Sequence, residues 1–120
     1  MIIKNTAHYH LLFFDNYVIA EANEGTLVNN EVVAEALKVI FDHFDGNPFS
    51  VISNRKNNYT VDVGVYALKL MKKLKALAIV SNSEIVKEKA FVEQLAFNQS
   101  FTFFEDLEDA KEWALSVAIK

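Results

Sequence analysis

The chain has no cysteine, one proline and three glycines in 120 residues. Without cysteine there is no disulfide framework, no thiolate metal site and no thiol nucleophile. The glycines, Gly25, Gly46 and Gly64, are isolated, so no glycine-rich phosphate loop exists, and no nucleophile elbow is present either. No apolar run approaches the ~20 residues needed to span a bilayer. The start, Met1-Ile-Ile-Lys-Asn, lacks the charged segment and apolar core of a secretory signal. A cytoplasmic protein with no integral membrane segment is expected. Positive charge is scarce as well: 12 Lys and Arg against 16 Asp and Glu give a net charge of −4, which phosphate backbones repel. Lys69, Lys72, Lys73 and Lys75 form the best basic cluster, and cations late in a helix are favoured by its dipole without any ligand. No nucleic acid is expected as a partner.

What is abundant is apolar: 52% of the residues are hydrophobic and ten are Phe. That composition suits a compact, helix-rich globule and excludes disorder. At this length one domain, residues 1–120, is expected. His8–Phe14 and Tyr17–Ala22 read as an antiparallel hairpin, turned at Asp15-Asn16, both tolerant of left-handed backbone. A first helix runs from about Asn30 to Phe44 on the stripe Val33, Ala36, Leu37, Ile40 and Phe44, and Asp45-Gly46-Asn47-Pro48 stops it. Asn30 is its expected N-cap. Phe49–Ser53 is a third strand. A second helix is expected over Asp62–Leu74, with Val63, Ala67, Leu70, Met71 and Leu74 inward. Ala76–Val80 is a strand, Ser81-Asn82-Ser83 caps a helix over Glu84–Phe97, Ser100–Phe104 is the fifth strand, and Asp106 opens a last helix with Leu107, Ala110, Trp113, Ala114 and Val117 inward. Tyr66, Phe91 and Trp113, at helical spacing, read as core.

The order ββαβαβαβα implies an α/β fold with a five-stranded mixed sheet, largely parallel, an N-terminal antiparallel hairpin and four helices. Right-handed crossovers place the first three helices on one face. Yet the strands are apolar on both sides: Leu11 and Phe13 alternate with Leu12 and Phe14. The second face must be covered by the last helix, by the N-terminal arm or by another chain, and the last option raises a homodimer.

Two places carry the chemistry. His8 and His10 are two apart on an expected strand; with no third ligand marked, no metal or cofactor is expected there. His43 sits near the end of the first helix, where a partly protonated imidazole is favoured by the dipole. The sharper feature is the loop after the third strand, Asn54, Arg55, Lys56, Asn57, Asn58 and Tyr59, which holds the chain's one arginine. It lies at the carboxyl end of a parallel strand, beside Ser81, Asn82 and Ser83 after the next strand. One reading is a small-ligand site for an anion or lipid headgroup, with Arg55 as a two-pronged donor and the third helix's N-terminal amides alongside. The other has Arg55 paired with a surface acid and the asparagines shaping turns.

The hairpin, the strand ending Ile52-Ser53-Asn54-Arg55, the helix entry Tyr59-Thr-Val-Asp62, the Leu77–Val80 strand and the closing Phe104-Glu-Asp-Leu-Glu-Asp-Ala-Lys-Glu-Trp113 resemble small bacterial STAS-like proteins, similar in fold to the anti-sigma-factor antagonists of sporulation. The resemblance covers nearly the whole chain. In those antagonists a serine at the start of the second helix is phosphorylated and controls binding to a kinase partner. Here the matching stretch, Thr60-Val-Asp62-Val-Gly64-Val65, has no serine, and Thr60 lies slightly early, so the switch is not carried over. A related branch resembles lipid-transfer domains, which need a large apolar cavity. The resemblance implies a non-enzymatic regulatory or protein-interaction module, with an unidentified protein partner docking on Arg55–Tyr59 and the first turn of the second helix. Arg and Tyr are favoured interface anchors. A small-ligand binder is the alternative. An enzyme is the third class, and no acid–base pair or nucleophile can be named for it.

Overall fold

The computed structural model of the protein describes residues 1–118; Ile119 and Lys120 lie outside them. The chain runs through strands Ile2–Asn5 (β1), Tyr9–Phe13 (β2), Tyr17–Ala22 (β3) and Leu27–Val28 (β4), helix Asn30–Phe44 (α1), strands Ser50–Asn54 (β5) and Thr60–Val61 (β6), a 3-10 turn Val63–Ala67, helix Lys69–Lys72 (α2), strand Ala76–Val80 (β7), helix Glu84–Ala96 (α3), strand Ser100–Phe104 (β8) and helix Leu107–Ala118 (α4). The main sheet has the order β1-β2-β3-β5-β7-β8. The pairs β1–β2 and β2–β3 are antiparallel, whereas β3–β5, β5–β7 and β7–β8 are parallel. The mixed α/β architecture is therefore the expected one, with a sheet one strand wider. The N-terminal arm pairs Ile2 with Phe13 and Lys4 with Leu11 and becomes an exposed edge strand rather than a cover for either face.

Period-2 alternation in the parallel strands serves two cores. Val18, Ala20, Val51, Leu77 and Ile79 face a layer made by α1, the 3-10 turn, α2 and α3. Tyr17, Ile19, Ile52, Ala78 and Val80 face α4. The last helix thus covers the second face. Among the described residues it joins no parallel strand pair, so no crossover rule holds it on the side of the others. It approaches closely because Ala110 and Ala114 are fully buried, and the Ser50 hydroxyl donates to the Ala114 carbonyl at 3.1 Å. This internal cover removes the reason the two-sided pattern gave for a homodimer.

Local chemistry moved several boundaries. The N-cap of α1 is Asn29, whose Oδ1 accepts from the Val32 amide at 3.1 Å, one residue before the expected Asn30. At its other end Asp45 takes the left-handed conformation (φ 48°) and Gly46 follows at φ 86°, so the cap needs both residues. The hairpin turn closes with the Phe14 amide donating to the Tyr17 carbonyl at 2.9 Å. Neither Asp15 nor Asn16 is left-handed, since Asp45 is the non-glycine residue with positive φ among those described.

The expected helix over Asp62–Leu74 is broken. Asp62 caps the 3-10 turn by accepting from the Gly64 amide at 2.9 Å, and Leu68, extended at φ −61° and ψ 141°, separates that turn from α2. Gly64 and the β-branched Val61, Val63 and Val65 weaken a continuous helix here. The break buries Val65 and Tyr66 and leaves Val63 and Ala67 exposed. Upstream, β4 and β6 form a small parallel pair, Leu27 beside Thr60 and Val28 beside Val61.

Candidate functional site

Arg55 follows the end of β5, and its side chain turns inward. Its side chain is 8% exposed, and its guanidinium forms a two-pronged pair with Glu93, whose side chain is 2% exposed. Nη1 donates to Glu93 Oε2 at 2.6 Å and Nη2 to Oε1. The Tyr66 hydroxyl donates to the same Oε1 at 2.6 Å. Arg55 Nε reaches the Ser53 hydroxyl at 3.4 Å, and the Tyr59 hydroxyl lies 3.4 Å from that same oxygen. The Tyr59 ring sits 5.9 Å from the guanidinium carbon. The partner foreseen for Arg55 was a surface acid; the one found is a core carboxylate on α3, 38 residues away.

Burial opposes the Arg55 charge, but the Glu93 hydrogen bonds and charge outweigh it and hold the guanidinium protonated even above its ordinary range. Burial likewise pushes the Tyr66 phenol up, and the Glu93 carboxylate pushes it further. Tyr9 and Tyr59 are raised too, mainly by burial, with Arg55 pulling each back in part. Arg55, Glu93, Tyr66 and Tyr9 border an apolar cavity of about 60 Å³ between the sheet and the helical layer, walled by residues such as Val33, Leu37, Val51, Val65 and Leu77.

The rest of the loop is tied to the end of β3 and the segment after it. Glu21 accepts from Asn54 at 2.9 Å and pairs with Lys56 at 3.2 Å. Asn57 donates to the Ala22 carbonyl at 2.9 Å, and the Asn58 amide donates to Glu24 at 2.9 Å. The Gly25 amide returns a bond to the Asn58 carbonyl at 2.7 Å, and the Thr60 amide donates to the Thr26 carbonyl at 3.1 Å. Across the sheet edge, the Ser81 hydroxyl accepts from the Ser83 amide at 3.1 Å and the Ser83 hydroxyl from the Val86 amide at 3.3 Å. The third helix's first amides are thus partly capped by the chain's own serines.

The residues singled out from the sequence fall into two clefts on either side of Arg55. Asn54, Lys56, Ser81 and Asn82 share one with Glu105 and Asp106. Tyr59, Thr60 and Ser83 share the other with Thr26, Ile85 and Lys89. Asp62 joins neither; it caps the 3-10 turn. Of the histidines, His10 hydrogen-bonds Asn5 at 2.6 Å and His8 precedes β2 in a bend. His43 stacks on Phe13 at 4.0 Å, and burial, with Lys4 second, lowers its pKa.

Glu93 was not foreseen. Its signal is its place on the stripe Val86, Ala90, Glu93 and Phe97, the four-three-four spacing of a buried helix face. A carboxylate on such a face needs a cation, and the chain has one arginine. Phe91, read as core, is 59% exposed, because α3 presents that inner stripe to the sheet instead.

No protein-family model matches the chain, and no curated protein matches it. Among solved structures it is similar to an uncharacterised protein from the DUF3478 family with a SpoIIAA-like fold, from Shewanella loihica PV-4. The identity is 18% and the TM-score 0.63, covering 92% of this chain and 98% of that one. At that identity the likeness shows the fold alone, and it is the STAS-like α/β fold that the sequence resemblance implied.

Proposed function

We propose that the protein is a non-enzymatic, single-domain interaction module of the cytoplasm, which docks a protein partner in the cleft between the Arg55 loop and the start of α3. The observation that carries this reading is the engagement of both loop cations within the chain, Arg55 by Glu93 and Lys56 by Glu21. What the loop offers outward is a set of amides and hydroxyls on backbone anchored at several points. Leu27, 56% exposed beside Thr60, and Ile85, 65% exposed, supply apolar contacts at its rim. Apolar anchors in a hydrogen-bonding surround suit a protein surface.

The same accounting weighs against the anion or lipid-headgroup reading. The cleft holding Ser81 and Asn82 also holds Glu105 and Asp106, and the internal cavity of about 60 Å³ is far below the roughly 300–1,000 Å³ of small-molecule sites. The test is affinity capture from the protein's own cells with wild type and a Thr60→Arg, Ile85→Asp variant, both positions being exposed. A co-purifying protein lost from the variant, with its melting temperature unchanged, is the expected result. A co-purifying protein that both forms retain equally rules out the cleft. Specific thermal stabilisation by an anion or headgroup instead would favour the ligand reading.

A further inference from the structure

Helix α3 carries two apolar stripes, and the fold buries the poorer one. The inner stripe is Val86, Ala90, Glu93 and Phe97; the outer is Ile85, Val92 and Leu95, with Phe91 beside it and Glu88 in its line. Ile85, Phe91, Val92 and Leu95 are 65%, 59%, 52% and 87% exposed. Positions 85, 88, 92 and 95 repeat at three-four-three spacing, the seam of a helix pair. We propose that this outer stripe is a homodimer interface, in which α3 packs antiparallel against α3 of a second copy about a two-fold axis near Ala90.

Two features favour a second copy as the occupant. The four side chains present on the order of 500 Å² of apolar surface, in the upper half of the range for the largest patch on a monomer. Doubled by symmetry this is about 1,000 Å², where specific interfaces begin, and the flanks add to it. The charges are also self-complementary. On a helical wheel Glu88 lies mid-stripe, with Lys87 to one side and Lys89 to the other. In the antiparallel arrangement Glu88 of each copy faces Val92 of the other and lies within about a turn of Lys89 there, so the two-fold generates the Glu88–Lys89 pair twice and sets it against a single Glu88–Glu88 approach. This surface meets the partner cleft at Ile85 and Lys89, whereas Val92 and Leu95 lie outside it, so Leu95→Glu tests the dimer without touching the cleft.

The test is the mass of the full chain by light scattering from about 1 to about 100 μM. Wild type approaches twice 13.6 kDa, and Leu95→Glu raises the dissociation constant by at least about tenfold. Glu88→Lys and Lys89→Glu each shift the protein toward monomer, and mixing the two restores a dimer. Thr60→Arg leaves the mass unchanged. A wild type that stays monomeric throughout overturns the proposal, and so does a dimer indifferent to Leu95→Glu. A monomer that loses capture of a different protein on Leu95→Glu would assign the stripe to that partner and overturn self-association. A mixture that stays monomeric would overturn the antiparallel arrangement.

Discussion

Glu93 accepts three hydrogen bonds, two from Arg55 and one from Tyr66, so removing it leaves a guanidinium and a phenol in the core. Glu93→Ala is expected to cost about 3–5 kcal/mol in urea unfolding, the range for breaking a buried pair. An Arg55→Met, Glu93→Leu double variant should recover most of that loss, since apolar replacement of both partners removes the stranded charge. A double variant as unstable as Glu93→Ala would show that the pair acts through something other than its charges. The tyrosines give a pH signature. Burial, with the Glu93 charge second for Tyr66, holds the phenols of Tyr9, Tyr59 and Tyr66 above their ordinary value in the fold. The folded state therefore keeps protons that the unfolded chain releases above about pH 10. This contribution is complete below that pH and falls as the pH rises through it. The urea midpoint should decline between about pH 9 and 11, less steeply in Tyr9→Phe, and an equal decline in that variant would contradict the burial account. From sequence, Arg55 was visible as a singular residue but not as a buried one. Its flanking Asn54, Lys56, Asn57 and Asn58 read as solvent-facing polar loop, and nothing local reveals a partner 38 residues on.

At the scale of elements, strands and helix faces were legible wherever one period dominated. The α1 stripe Val33, Ala36, Leu37, Ile40 and Phe44 is buried as read. Two helices were not legible, for different reasons. Over Asp62–Leu74 the apolar spacing fits a helix, but Gly64 and the clustered valines give way to a 3-10 turn, which brings Tyr66 to Glu93. In α3 two apolar stripes compete, and hydrophobicity alone selects the outer one. Ala90 allows close approach and Glu93 meets Arg55, so the inner stripe wins. The cap of α1 gives a direct check. Asn29→Ala should cost about 1 kcal/mol and Asn30→Ala within about 0.5 kcal/mol; equal costs would contradict the Asn29 cap. The contact of α4 with the sheet relies on small residues. Ala114→Leu should destabilise by about 1–3 kcal/mol through overpacking, and a neutral result would contradict the close approach.

At the scale of the whole molecule, the sheet carries a helical layer on one face and α4 on the other. Both apolar faces are thereby satisfied within one chain, and the carboxyl ends of the parallel strands stay open beside the Arg55 loop. No helix among the described residues is long and apolar enough to cross a membrane. The sequence pattern conveyed the two-sided core but not which of three covers would occupy the second face. That depends on how far a terminal helix folds back, which no periodicity encodes. The edge strand β1 was missed because Ile2 and Ile3 are exposed and offer no alternation to read. The proposed contact lies in the cleft, with the Arg55–Glu93–Tyr66 cluster beneath it. The most direct test is a nitrogen-15 correlation spectrum of the labelled protein, recorded with and without the partner captured from its own cells. Shifts concentrated at Gly25–Leu27, Asn57–Thr60 and Ser83–Lys89 are the predicted result. Shifts confined to α4 and β1, with those three segments unmoved, would contradict it.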